Sequence, residues 1–238
     1  MEGFSERSHF HFIDKYRTTF VFNKSSEEYR NSLIWSSERS SEIEEVLREE
    51  ALSIQLEMLI YLKIWEADLF IKWMYELGRI LNSEPYDWYF SLAKGQKEKK
   101  TLPSRHQTLI ELIQNKIPPE LEVLKRSMEE AYVINIRNAI AHSNYSFHGD
   151  VISFSFYNSI NSRSETKSIK FEDWSQIFHK TLMIHNFSYW LKGQINTHYA
   201  DLYSEGTPVS ILITDQANKQ SEHLLEFRSE YGDWKWKK

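Results

Sequence analysis

From Ile43 to Trp73 apolar residues recur at three- and four-residue spacing, through Val46, Leu47, Ala51, Ile54, Met58, Leu59, Leu62, Trp65 and Leu69. A strand cannot present such a row on one face, because its side chains alternate every two residues. A helix returns to the same face after about 3.6 residues. The chain is therefore expected to be organised around one long helix beginning at Ser40 or Ser41, where Glu44 is placed to reciprocate a Ser41 cap. Ile60, Tyr61 and Phe70 widen the stripe beyond a two-helix seam, so several neighbours must cover it. Gly78 falls near the end. With only seven Gly and five Pro, and with fourteen Phe, thirteen Tyr and eight Trp for a core, the 238 residues favour long regular elements.

Further elements follow from local signals. Residues 1–40 read as a helical or mixed extension: Phe10 to Phe22 suits helix or strand, and Ser25-Ser26-Glu27-Glu28 reads as a helix start. A short helix is expected over Ser83 to Ala93, then an exposed turn at Gly95 to Lys100. Pro103-Ser104 introduces a helix containing Leu109, Leu112 and Ile113. Pro118-Pro119 marks a boundary, since proline lacks the amide donor and restricts the residue before it. Glu120 through His142 reads as one continuous helix. The period then changes to two, with Ile152, Phe154 and Phe156 on one strand face and Ile169 with Phe171 on a second. Asp173 is placed to cap a last long helix through Ile195. Val209 to Ile213 and Leu224 to Phe227 are possible strands, and Trp234 to Lys238 reads as a flexible tail.

Several function classes are disfavoured. The chain has no Cys, which removes disulfides, thiolate nucleophiles and cysteine-based zinc sites. A net charge of −5 argues against coating nucleic acid through the overall field, but not against a local patch. Glu57, Lys63, Glu66, Asp68 and Lys72 interrupt the most apolar segment, so it is no membrane span. A cytoplasmic protein without membrane contact is expected. There is no phosphate-binding glycine loop, and His9 with His11 lacks an acidic companion for a metal. No cofactor and no metal are expected.

The run Arg137-Asn138-Ala139-Ile140-Ala141-His142 carries the most chemistry. On a helix, Arg137 and His142 are separated by about 7.5 Å of rise and roughly 140° of rotation, with Asn138 between them in angle. RNA brings its own nucleophile, the ribose 2′-hydroxyl. His142 can take that proton, or when protonated give one to the departing 5′-oxygen. Arg137 can hold nonbridging phosphate oxygens as charge builds on phosphorus, and Asn138 can orient a phosphate oxygen or fix a His tautomer. The same residues also have a structural account. Glu129 and Glu130 are candidate ion-pair partners for Arg137, and His142 and Asn138 can satisfy a helix end.

Arg137-Asn138-xxx-His142 at a helix end, followed by Tyr145, resembles the signature of the HEPN superfamily, the higher eukaryote and prokaryote nucleotide-binding helical domains. Many members place an aromatic residue two positions after the His; here Asn144 stands there and Tyr145 follows. The resemblance spans about Ser41 to Tyr199. It implies a mainly α fold, an antiparallel bundle of helices over 41–200 with a β-hairpin at 151–171 inserted between the last two core helices; the short β extension over 201–238, read from its own strand pattern, lies outside the resemblance. It also implies catalytic roles for Arg137, Asn138 and His142 in a metal-independent endoribonuclease whose cleft forms in a homodimer. RNA would be the substrate, and an antitoxin or another defence-system protein the partner, in a toxin or anti-phage effector. The alternative is a noncatalytic RNA- or protein-binding module, or a structural subunit of a defence complex.

Other candidates carry less. His148 can line the groove or lie in a loop. Glu57 is a buried-polar candidate within the apolar stripe, and Lys97, Lys99, Lys100 and Arg105 form a basic segment that a solvated loop explains equally.

Overall fold

A computed structural model describes residues 40–94, 98, 101–158, 163–203, 207–214, 219–228, 230–231 and 233–237. The readings made for residues 1–39, including His9 and His11, lie outside the described residues, as does most of the segment 95–100. The architecture is mixed α and β, with the expected helical core, β insertion and C-terminal β extension. The first sheet, of three strands rather than a two-stranded hairpin, lies between two core helices in sequence, and a second three-stranded sheet lies near the C-terminus. Two compact units share the chain: residues 1–71 with 123–182, and residues 72–122 with 183–238.

In the first unit, helix α1 spans Ser40–Trp65. The expected single helix ending near Gly78 is broken at Glu66-Ala67, and α2 (Asp68–Leu81) restarts with Asp68 in its first turn. The Ala67 N–H turns back to the Ile64 carbonyl at 3.3 Å, a tightened last turn, while the Ala67 carbonyl already accepts from Ile71 N–H at 3.0 Å. An acid at the start of the new helix suits its positive end. The other expected long helix is also interrupted. Helix α3 (Glu122–Ala131) ends before Tyr132, and α4 (Ile134–Ala141) begins after Val133 in extended conformation. The Val133 N–H, released from helical pairing, donates to the Tyr61 hydroxyl at 3.2 Å. Aromatic packing stabilises this break: Tyr132 lies 5.2 Å from Trp65, ring centre to ring centre, and both are buried.

Tyr61, Trp65, Phe70 and Trp174 continue that cluster, with Tyr61 and Trp174 ring centres 5.5 Å apart. Each large ring withdrawn from water contributes on the order of 1.5–3 kcal/mol. The sheet is antiparallel in the order β1 (Tyr145–His148), β2 (Val151–Asn158), β3 (Arg163–Lys170). Ile152 faces Phe147 and Ile169, and Phe154 faces Tyr145 and Lys167. Ile152 and Phe154 are buried, as the two-residue period implies. Strand β1 was not expected; its four residues alternate only briefly, too short a run for the period to declare itself. Helix α5 (Phe171–Leu202) follows directly. The helix starts two residues earlier than the expected Asp173 cap, so Asp173 lies inside its first turn, where its carboxylate reaches back to accept the Lys170 N–H at 3.3 Å.

The second unit holds the rest of α2 and α5, a mixed helix and the second sheet. Residues 84–94 contain turns but no helix, contrary to expectation. Pro85 restricts the residue before it, and the side chains pair locally instead: the Tyr75 and Phe90 rings stack at 3.9 Å, and Glu76 accepts the Asp87 N–H at 3.1 Å. After Ser104, whose hydroxyl caps Gln107 N–H, one α-turn passes into a π-helical stretch, Thr108–Ile113, and then a 3-10 turn, Gln114–Lys116. Strands β4 (Val209–Thr214), β5 (Gln220–Arg228) and β6 (Asp233–Trp236) pair antiparallel in that order. The expected flexible tail is thus a strand. Trp234 lies 5.1 Å from Phe227 and 6.4 Å from Tyr203, and Arg228 holds Asp233 through two hydrogen bonds. No helix among the described residues is long and apolar enough to cross a membrane.

Candidate functional site

Helix α4 presents Arg137 and Asn138 and delivers His142 at its C-terminal cap. Ile136, Ala139 and Ile140 are buried, anchoring the helix against α1 and β2. Three hydrogen bonds close the end. His142 N–H reaches the Asn138 carbonyl at 3.1 Å, Ser143 N–H the Ile140 carbonyl at 3.1 Å, and Asn144 N–H the Ala139 carbonyl at 2.8 Å. This is a Schellman closure, and it puts Ser143 in the left-handed region at φ 55°, where glycine is the usual occupant. The Asn144 carbonyl then accepts Ser155 N–H at 2.9 Å, so the chain leaves the helix directly into sheet pairing. His142 stands at a fixed corner between helix and sheet.

Its side chain is exposed and makes no hydrogen bond to another described residue. Arg137 is held differently. One guanidinium nitrogen donates to the Asn138 amide oxygen at 2.7 Å, and another forms an ion pair with Glu66. The two side chains of the ion pair are 24% and 32% exposed, so this contact is more shielded than an ordinary surface pair. Burial pushes the Arg137 pKa down, opposed by nearby Tyr61; a guanidinium remains protonated regardless. Neither Glu129 nor Glu130 is its ion-pair partner, contrary to the structural account above: Glu130 pairs with Lys180.

Glu66 is the participant that sequence reasoning missed. Its one visible mark was that it interrupts the apolar stripe. Glu57 carries the same mark; expected as a buried polar residue, it is only half-buried, and its carboxylate accepts the Trp174 indole N–H at 2.7 Å. Nothing in the spacing distinguishes the acid that accepts from an indole from the one that meets a guanidinium. Glu66 still belongs to the last turn of α1, its N–H donating to the Leu62 carbonyl at 2.9 Å, and it is the packing of α1 against α4 that sets its carboxylate beside Arg137.

His148 closes β1, exposed, with its Nε2 at 3.1 Å from the Ser146 hydroxyl. Glu50 lies in the same unit; burial, then the charges of Glu57 and Asp150, push its pKa up to about 7. Among the described residues no group of three or more His, Asp or Glu side chains is arranged to hold a metal ion. The arrangement offers an anchored cation, an amide locked onto that cation and a solvent-facing imidazole one helical turn beyond the amide. A cation and a proton carrier of this kind suit phosphoryl chemistry at a phosphodiester. Comparison with known proteins yields no match among family models, curated proteins or solved structures.

Proposed function

We propose that this chain is a metal-independent endoribonuclease of the HEPN type, acting as a homodimer on RNA. His142 takes the proton from the ribose 2′-hydroxyl as its oxygen attacks phosphorus. Arg137 balances charge on the nonbridging oxygens, and the 5′-oxygen leaves with a proton from an imidazolium. The products are a 2′,3′-cyclic phosphate and a free 5′-hydroxyl. A second copy of His142 across the dimer cleft divides the acid and base roles. Asn138 holds Arg137 in place. A toxin or anti-phage effector, with an antitoxin or defence-system protein as its partner, is the setting that fits such an activity.

The observation that carries this reading is the contrast between the two side chains: the imidazole is exposed at a rigid corner, while the guanidinium is tethered by Glu66 and Asn138. Purified protein is expected to cleave single-stranded RNA in EDTA, and both His142→Ala and Arg137→Ala to lower the rate by about 100-fold or more. Cleavage that survives both substitutions defeats the assignment.

The same ion pair favours a second reading. A guanidinium engaged by a carboxylate has fewer donors for phosphate, which suits a noncatalytic RNA- or protein-binding module or a structural subunit of a defence complex. Binding without product formation across broad RNA sets selects that reading.

A further inference from the structure

Residues 84–94 form no helix, yet the segment is pinned at three points. The Pro85 carbonyl accepts from Arg79 Nε at 2.7 Å, the Asp87 N–H donates to buried Glu76 at 3.1 Å, and the Phe90 ring stacks on Tyr75 at 3.9 Å. Tyr86 and Trp88 alternate with these anchors and face water, 51% and 37% exposed. Their ring centres are 4.7 Å apart. Trp88 lies 6.0 Å from Trp236 of β6, also 51% exposed, and the row continues to exposed His223 of β5 at 5.6 Å. All four residues belong to the second unit. The anchors already hold the segment, so fixing it does not require Tyr86 and Trp88 to stand in water. Contiguous exposed rings of this kind mark an interaction surface.

We infer that this aromatic row is a docking site for a proline-rich segment of another protein, bound in polyproline II conformation. Ring geometry, hydrogen-bonding capacity and charge together select that occupant. The rings are not spent on one another: neighbouring planes are tilted by 55°, 50° and 72°, against 19° for the stacked Tyr75–Phe90 pair. Ring faces are thereby left for pyrrolidine rings to pack on. The indole N–H groups of Trp88 and Trp236 donate to no described residue, whereas those of Trp65 and Trp174 reach Thr181 and Glu57. A polyproline II helix has no internal hydrogen bonds, so it presents bare carbonyls to those donors, and its prolines bring no competing N–H. Charge then separates this occupant from a nucleic-acid strand, which stacks on similar rings but needs cations along its phosphates. The face of the sheet that carries Trp236 has no Lys or Arg on β4, β5 or β6. Lys235 lies on the opposite face, paired with Glu226 at 3.5 Å. Asp87, between Tyr86 and Trp88 in sequence, adds a carboxylate instead. A neutral or basic peptide meets no repulsion there.

This inference does not rest on RNA cleavage, and its test contains no RNA. A fluorescein-labelled peptide of about ten consecutive prolines is titrated with the full chain and followed by anisotropy. The expected Kd is on the order of 100 μM. A glycine-serine peptide of equal length is expected not to bind, because it lacks both the rings and the preset backbone. Trp88→Ala and Trp236→Ala are each expected to weaken binding roughly tenfold or more. Their melting temperatures are expected to stay close to that of the natural chain, since both side chains are exposed. If Trp236→Ala disturbs the sheet, Trp88→Ala decides, because its segment keeps the anchors at Pro85, Asp87 and Phe90. No binding of the proline peptide by about 1 mM overturns the proposal. Equal binding of the glycine-serine peptide, or binding indifferent to both alanine variants, does the same. So does an oligothymidylate or a cello-oligosaccharide that binds more tightly than the peptide through the same tryptophans.

Discussion

Removing the Glu66 carboxylate tests whether Arg137 is positioned by the fold or merely neighbours an acid. Arg137 donates to Glu66 and to Asn138, and both partners of the ion pair are about a quarter to a third exposed. An exposed ion pair contributes about 0–1 kcal/mol, whereas breaking a fully buried one costs about 3–5 kcal/mol. Hydrogen bonds to charged groups lie between, at about 1.5–3 kcal/mol. Arg137→Ala loses both bonds and part of the packed stem, and is expected to cost about 2–3 kcal/mol. Glu66→Gln keeps shape and one acceptor, and is expected to cost about 1 kcal/mol. The informative quantity is the coupling from a double-mutant cycle in urea unfolding, expected near 1 kcal/mol. A coupling below about 0.3 kcal/mol, the scatter of independent sites, refutes the claim that Glu66 holds the guanidinium. Kinetics separate strut from reagent. If Arg137 acts on phosphate from that tether, Glu66→Gln lowers turnover by roughly tenfold with RNA affinity little changed, because a small misplacement weakens transition-state contacts first.

Two further predictions concern stability. Ser143→Gly relieves a left-handed residue at the α4 cap and is expected to add about 0.5–1 kcal/mol, read as a rise of a few degrees in melting temperature; a fall in the melting point contradicts the cap geometry. Glu76 is buried in the second unit, and burial pushes its pKa up to about 7 from an ordinary 4.5. The folded state therefore holds a proton that the unfolded chain releases, and stability declines as pH rises from 4.5 to 7. The urea midpoint is expected to fall between pH 5 and 7.5 in the natural chain and to fall less in Glu76→Gln. Equal slopes sink the argument.

The sequence made some parts of this molecule readable and not others, for physical reasons. Periodicity identified the helical stripe of α1, because a core-facing helix must repeat its apolar residues, and it identified β2, where Ile152 and Phe154 alternate into the core. It missed both helix breaks. Neither Glu66-Ala67 nor Tyr132-Val133 contains proline or glycine, and all four residues are compatible with helix in isolation. Tertiary packing decides there. Strand β6 was missed since its two tryptophans, read alone, look like a loose end, and only Phe227 and Tyr203 turn Trp234 inward. Of the candidate site, Arg137, Asn138 and His142 were legible as residue types at a helix end. That Arg137 turns toward Glu66 while His142 faces solvent was not, because it depends on α1 lying alongside α4.

The two unforeseen breaks share one cause. A continuous helix would pair the Val133 N–H with the carbonyl four residues back. Instead Tyr61 accepts the Val133 N–H, and its ring packs beside Trp65 and Trp174. Trp65 in turn holds Tyr132 on one side of the second break and is itself the last residue of α1 before the first. One aromatic cluster therefore touches both breaks. Glu66 closes the last turn of α1, its N–H donating to the Leu62 carbonyl at 2.9 Å, and the break after Tyr132 starts α4 where Arg137 meets that carboxylate. The polar site is in this sense a by-product of how large rings pack. Its geometry belongs to Tyr61, Trp65 and Tyr132 as much as to the residues that would touch a phosphate.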